Sequence, residues 1–424
     1  MLPCAAASFA MFLIGMDTFI VNVALPTIGT ELHANMAAQQ WIIDGNTLAF
    51  AALLLLAGNL SDRFGAKHAF MAGTAGFAVS SLICALAVGA GMLVLGRTLL
   101  GVSAALLLPS SMSVIREAYP READRSRALA IWGIGGSSAA AVGPILGGAL
   151  APIHWSLVFS INIPFCLAIL ALCLRLAPSP ASARPFDVPG QVLAAAGLTG
   201  LIGGIIEGGS RGFTAPAPAA LIVFGTIALA AFAFSQMRVR YPMVPPALFR
   251  KLGMRAAVFG GFAMILSWNG AIFLSTLILQ QSAGLDPLAS GLVFLPSAIT
   301  CSITNMLSDR LSGVWSTRRI LVVGIAILSA GYAVFLMLGG QLSAVGVAVA
   351  IAVAGSGGGL MTPTFAGMVL RYSEPSQAGI ASAVFNTLRQ VGGAVGVALF
   401  GALASSWRTR RRASWPLSPS PSRL

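Results

Sequence analysis

Charge is what this chain most lacks. Its 424 residues include 25 Lys and Arg and 12 Asp and Glu, together 9%, where a soluble domain carries about a quarter. With 57% apolar residues and a mean hydropathy of +0.88, this scarcity excludes a water-soluble globular fold and leaves lipid as the main solvent. Cysteine is sparse as well. Cys4, Cys84, Cys166, Cys173 and Cys301 lie in apolar stretches without CxxC spacing or a nearby His, so buried packing is expected of them rather than a disulfide framework or a metal site. A Walker lysine loop is absent, which argues against direct ATP drive. No nucleophile–base pair or metal cluster is visible, so an enzyme is not expected. The amino terminus has no basic n-region and its apolar run continues past Asp17, unlike a cleavable signal peptide. Strand-type alternation is missing too, which excludes a membrane barrel.

What the chain has is apolar runs long enough to cross a hydrocarbon core of about 30 Å. They fall near 4–28, 40–60, 69–89, 92–115, 128–151, 156–177, 188–208, 217–236, 256–281, 288–308, 319–339, 344–368 and 379–403. The expected fold class is all-α integral membrane, with about 13 transmembrane helices. The 48 glycines suit close helix packing and a molecule that rocks between states. The net charge of +13 sits in alternate loops: Arg63 and Lys67; Arg116, Arg121, Arg125 and Arg127; Arg175 and Arg184; Arg238, Arg240, Arg250 and Lys251; Arg310, Arg318 and Arg319; Arg371. The other loops hold Arg211 and almost nothing else. This pattern argues against a nucleic-acid partner and places the basic loops and the amino terminus in the cytoplasm. Trp41 and Trp155 then fall at the outer surface and Trp315 at the inner one, as an aromatic belt. The carboxyl end departs from the rule. Trp407 to Arg412 (WRTRRR) and a basic Ser/Pro-rich tail to Leu424 follow the thirteenth span, and 405–424 is read as a truncated or frame-altered end.

Leu60 to Arg63 and Leu307 to Arg310 both read LSDR, each ending an apolar run before a charged loop. Tandem half-chains of this kind are the trace of duplicated helix bundles between which a substrate passes. The Pro-, Ala- and Ser-rich segment 178–187 is the expected cytoplasmic linker after an amino-terminal six-helix bundle, 1–177. The second LSDR copy follows the tenth span rather than the eighth. An inserted helix pair with its loop, 188–254, is therefore expected before a carboxyl-terminal bundle of five helices, 255–404.

Inside a membrane each carboxylate is a default candidate for function, because burying its charge is costly without a partner. Asp17, Asp44 and Glu207 alone lie within spans, and Glu207 is near enough to an outer end to reach water. At about 1.5 Å per residue, Asp17 lies roughly 20 Å from the inner end of span one, Arg97 about 8 Å below the outer end of span four, and Asp44 at a similar depth in span two. All three are expected to meet. Burial opposes the charge of an acid and a neighbouring Arg favours it, a balance suited to proton exchange. The expected roles are Asp17 as proton and cation site, Arg97 as its modulator and Asp44 as an assistant near the outer mouth. The competing readings are a static buried ion pair and, for Asp44, an acid that faces water. Arg389, with Gln390 and Asn386, lies mid-depth in span thirteen. Its partner is Asp17 or a substrate across a central cavity, or else helix carbonyls. Trp268 and Asn269 are candidates for the cavity wall, with packing the competing role for Trp268.

Four strings carry a resemblance. Gly58 to Lys67 (GNLSDRFGAK) resembles the loop-2/3 motif of the major facilitator superfamily at Gly58, Leu60, Asp62, Arg63, Gly65 and Lys67, and departs from it at Ala66, where a base is usual. Met16 to Pro26 (MDTFIVNVALP) is similar to the first-helix signature of the superfamily's fourteen-helix drug:proton antiporters. Ala141 to Gly148 (AVGPILGG) resembles their GPxxGG motif, and Asn386 to Gly393 (NTLRQVGG) their thirteenth-helix signature. The resemblance covers the chain up to about its last twenty residues. It departs in the missing fourteenth helix and at Leu100, where Gln usually precedes Gly101.

This resemblance implies a major facilitator fold, two six-helix bundles with an inserted pair, and multidrug efflux. The implied activity is proton-coupled export of lipophilic, cationic drugs or toxic compounds across the cytoplasmic membrane. The proton gradient would supply the energy without a cofactor, and the partners would be the lipid bilayer, a small lipophilic substrate and protons. Arg97 matches the family's fourth-helix Arg, which is tied to proton transfer. Gly58, Asp62, Arg63, Gly65 and Lys67 match a motif that tunes inward opening, and physically such a turn with an acid and bases can latch one bundle to helix ends of the other. In the GPxxGG string, Pro144 bends the helix while Gly143, Gly147 and Gly148 permit close contact, sealing the outer half against proton leak. Two other functions remain open: a non-transporting membrane fragment, and a proton-coupled exporter or symporter of another small molecule.

Overall fold

The computed structural model describes residues 2–179, 187–337, 343–373 and 378–414, with helices and connecting loops and no strand among them. In chain order the helices are α1 (Leu2–Glu31), α2 (Met36–Phe64), α3 (Ala66–Ala85), α4 (Ala90–Ala118), α5 (Glu122–Leu150), α6 (Leu157–Leu174), α7 (Val188–Arg211), α8 (Pro216–Gln236), α9 (Leu252–Gln280), α10 (Pro287–Ser312), α11 (Thr317–Met337), α12 (Ala344–Tyr372) and α13 (Ala378–Ser414). Twelve are long and apolar enough to cross a membrane, and α2, 29 residues long, makes thirteen long helices among the described residues. The last helix runs on through the basic cluster to Ser414, although its apolar part is Ile380–Ala404. Most of the proposed linker, 180–186, and the tail beyond Ser414 lie outside the described residues.

Short polar caps start several helices where the apolar runs begin. Asn35 accepts from the Ala38 amide at 2.9 Å, Asp187 from Gly190 at 2.8 Å and Asp286 from Ala289 at 2.8 Å, each satisfying an amide the helix cannot. Between α2 and α3 the chain turns at Gly65 with φ +86°, a conformation that favours glycine.

Helices α1 to α6 form one bundle around Phe70, Phe77, Leu100 and Phe159. In it α1 packs on α5, α2 on α4, and α3 on α4 and α6. Helices α9 to α13 form a second around Met254, Met361, Phe365 and Phe385. The inserted pair, α7 and α8, packs on itself, and α7 lies across the seam where α2 meets α13. There Ile202 and Ile206 pack with Ala37 and Leu48 of α2 and with Ala394 and Ala398 of α13.

The bundles meet in the half of the molecule away from the LSDR copies. Gln40 donates to the carbonyls of Val397 (3.3 Å) and Ala398 (3.0 Å) on α13, and Gln280 to that of Val23 (2.8 Å) on α1. Gly148 of α5 lies so close to Pro287 and Leu288 of α10 that a Cβ there would strike their backbone, and Gly291 likewise abuts the Pro144 carbonyl. Towards the LSDR end the bundles part around a cavity. The structure is therefore closed at one end and open at the other.

Aromatic placement corrects one expectation. Trp155 is not a belt residue: it is 4% exposed, edge-on to Phe159 at 6.2 Å, because the short loop before α6 folds it into the first bundle's core. Trp41 is half-buried against Gly203, and Trp315 is half-buried beyond the end of α10.

Candidate functional site

Asp17 and Arg97 form the ion pair that their depths predict. Arg97 Nη1 lies 2.5 Å from Asp17 Oδ2, with both side chains 2% exposed, and its Nε donates to the Ile42 carbonyl at 2.9 Å. Two amides complete the shell. Asn162 Nδ2 donates to Asp17 Oδ1 at 3.1 Å and Asn46 Nδ2 to Oδ2 at 3.4 Å. A buried carboxylate held by a guanidinium and two amides has most of its lone pairs engaged, as a buried charge requires. Charge scarcity pointed to the first two residues. Asn46 and Asn162, neutral and on other helices, gave no such signal.

The third expected member stands apart. Asp44 is 0% exposed, so it does not face water, and neither carboxyl oxygen has a hydrogen-bond partner among the described residues. It lies one turn from Gln40, which bonds α13, and one turn from Leu48, which packs on α7 and α13. Residues at this spacing share a helix face, so Asp44 looks into the α2–α13 seam rather than at Arg97. Depth along a helix does not decide which neighbour a side chain faces. Glu207 pairs with Arg211 at 2.9 Å, near the end of α7.

Arg389 does not reach Asp17. Its guanidinium lies 5.5 Å from the Phe385 ring centroid, and its Nε has no partner among the described residues. Asn386 donates to its own helix at Ser382.

A cavity of about 330 Å³ opens between α1, α5, α9 and α10, lined by Asn22, Pro144, Trp268, Ser297, Cys301 and Asn305 among others. Its wall runs from Pro144 and Phe294 at the closed end to Ile134 and Met306 at the rim. Trp268 thus serves the wall as well as packing, while Asn269 instead abuts Gly393 of α13. At about 100° per residue, Asp17 points to the side of α1 away from Phe19, Asn22 and Val23, which line the cavity. Asp17 and the cavity therefore lie on opposite faces of one helix.

Cys301 also corrects an expectation. Four cysteines are buried, but Cys301 is only partly so and lines the cavity. N-ethylmaleimide is expected to label the protein at Cys301 at least tenfold faster than at the other thiols, since the thiolate must be reachable to react. Mass spectrometry of the alkylated protein, with Cys301→Ser as control, checks this.

The two glycine-containing motifs make different contacts. In the first, Lys67 Nζ donates to the Leu176 carbonyl at 2.5 Å and its amide to Ser179 Oγ at 2.9 Å, while Ser179 donates to Glu117. A Cβ on Gly65 would lie 2.9 Å from the Ser179 carbonyl. These loop contacts therefore stay within one bundle and do not reach the other, because the bundles are apart at this end. Arg63 is exposed, Gly58 has open space beside it, and the Asp62 side chain lies outside the described residues. In the second motif, a Cβ on Gly143 would lie 2.7 Å from Phe19 Cβ and one on Gly147 2.6 Å from the Ile20 carbonyl, so both press on α1. Gly148 presses on α10 as described, and Pro144 sits inside an unbroken α5.

Comparison with known proteins agrees with this architecture. The model of the Major Facilitator Superfamily matches residues 7–397. The chain is 30% identical to the methylenomycin A resistance protein of Bacillus subtilis over 92% of its length and 85% of the relative's. It is 31% identical to the multidrug efflux pump LfrA of Mycolicibacterium smegmatis over 95% and 80%. A peptide transporter solved with sulfate shares the fold, with a TM-score of 0.68 at 16% identity over 96% of this chain and 94% of that one. The chain belongs to the major facilitator superfamily and is a membrane-spanning transporter rather than an enzyme.

Proposed function

We propose that this transporter exports lipophilic compounds in exchange for protons across the cytoplasmic membrane, with its amino terminus and the LSDR end in the cytoplasm. The observation that carries the reading is Asp17, an acid buried with Arg97 at the centre of a bundle that must rock against its neighbour. Resistance to methylenomycin A and multidrug efflux, the roles named for the two relatives, support the outward direction. Basic loops at the open end support a cytoplasmic opening.

In this cycle a compound enters the cavity from the cytoplasm and the bundles rock about their contacts. The seam below Gln40 then opens to the outside, where Asp44 takes up a proton and assists Asp17. Return to the cytoplasm-open state releases protons inwards. Because Asp17 and the cavity lie on opposite faces of α1, movement of that helix links them without direct competition. The preference for cations expected from nearby carboxylates finds no acid among the residues lining the cavity, so the reading carries no charge requirement.

The test uses everted membrane vesicles energised to an acid interior. Adding a fluorescent lipophilic compound is expected to release protons, seen as dequenching of a pH dye, and a protonophore is expected to stop uptake of the compound. Uptake that ignores the protonophore would overturn proton coupling. A chain that moves neither compound nor proton in a panel of dyes would favour the non-transporting reading.

A further inference from the structure

We infer that Asn162 is a positioning residue for the proton site, its side-chain amide serving Asp17 in both protonation states. The inference rests on the proton-coupled reading but concerns a residue on α6 that neither charge nor motif marks. Asn162 is 0% exposed. Its Nδ2 donates to Asp17 Oδ1 at 3.1 Å and to Ser81 Oγ on α3 at 3.2 Å, while its Oδ1 is buried with no donor among the described residues.

A buried acceptor left empty beside an ionisable acid is a cost in this state. It has a use in the other. When Asp17 takes up a proton it becomes an O–H donor, and a hydroxyl such as Ser81 donates as readily as it accepts. An amide turned by about 180° presents Oδ1 to both. With Asp17 ionised, two hydrogen bonds leave Asn162; with Asp17 protonated, two arrive. The pairing reverses direction without moving a backbone atom. A carboxylate or an apolar side chain at this position would serve one state at most. The proton itself passes between water and Asp17, and Asn162 neither gains nor loses one.

The other titratable groups facing Asp17 are Arg97 on α4 and the thiols of Cys84 on α3 and Cys166 on α6. From α2 comes the neutral Asn46, whose bond is longer at 3.4 Å.

Infrared titration of the purified full-length protein tests the inference, since a protonated carboxyl has its own C=O band and Asp17→Asn identifies which one belongs to Asp17. Asn162→Leu is expected to move the midpoint of that band to higher pH by roughly one unit, because the bond lost from the charged state outweighs the bond lost from the neutral one by about 1–1.5 kcal/mol. Asn46→Leu is expected to move it less. Asn162→Ser, smaller and still polar, is expected to shift it in the same direction and carries the test if Asn162→Leu fails to fold. A midpoint that stays put in the folded Asn162 variants would overturn the inference. So would a wild-type protein in which the Asp17 band never appears, leaving a permanently charged pair. Failure of the transport reading looks different: the band titrates and shifts, while no proton moves when substrate is added to vesicles.

Discussion

Arg97→Leu is expected to lower folding stability by about 3–5 kcal/mol, because it leaves one charge of a buried pair alone. The loss is read as a fall in the thermal midpoint of the purified protein. Adding Asp17→Asn removes the stranded charge and is expected to restore most of that stability, while substrate-driven proton movement in vesicles stays at background. A pair that only orders the bundle predicts the opposite for the double variant, which would then be both stable and active. The contrast is sharp because both side chains are 2% exposed, where solvent does little to screen the change. It also separates two roles that single substitutions confuse: loss of the acid and loss of the fold.

Gly148→Leu is expected to disfavour the closed end. Its Cβ would meet the Leu288 Cα and the Pro287 carbonyl, which are backbone and cannot swing aside. Overpacking of this kind costs about 1–3 kcal/mol, which corresponds to roughly a 5- to 150-fold shift between two states. Cys301 supplies the readout, since it lines the cavity open to the LSDR end. With a membrane-impermeant maleimide applied to that face, labelling of Cys301 is expected to slow by a similar factor. Unchanged labelling would mean that closure does not depend on this contact.

The helices were legible because lipid leaves no choice: a run of apolar residues must hydrogen-bond its own backbone. The Asp17–Arg97 pair was legible for a related reason, since two charges at one depth in a bundle must answer each other. Direction around a helix was harder to read. Rise per residue gives depth, and on depth alone Asp44 belonged with Asp17; Gln40, one turn away on the same face, was the clue that α2 turns it towards α13. Lys67 shows another limit, because a basic loop motif does not say which bundle its lysine grips. Asn46, Asn162 and Ser81 were invisible for want of charge. Nothing in their sequence neighbourhood distinguishes an amide aimed at a carboxylate from one that bonds its own helix, as Asn22 does with Thr18.

The closed end has a consequence for how this surface can vary. Its hydrogen bonds run from glutamine side chains to main-chain carbonyls, from Gln40 to residues 397 and 398 and from Gln280 to residue 23. Every residue type supplies a carbonyl, so the accepting side of the contact is indifferent to which apolar side chain occupies those positions. Mutational tolerance should therefore be lopsided across the same interface. Val397, Ala398 and Val23 are free to drift among residues of similar bulk, whereas Gln40 and Gln280 supply side-chain donors with the reach to cross.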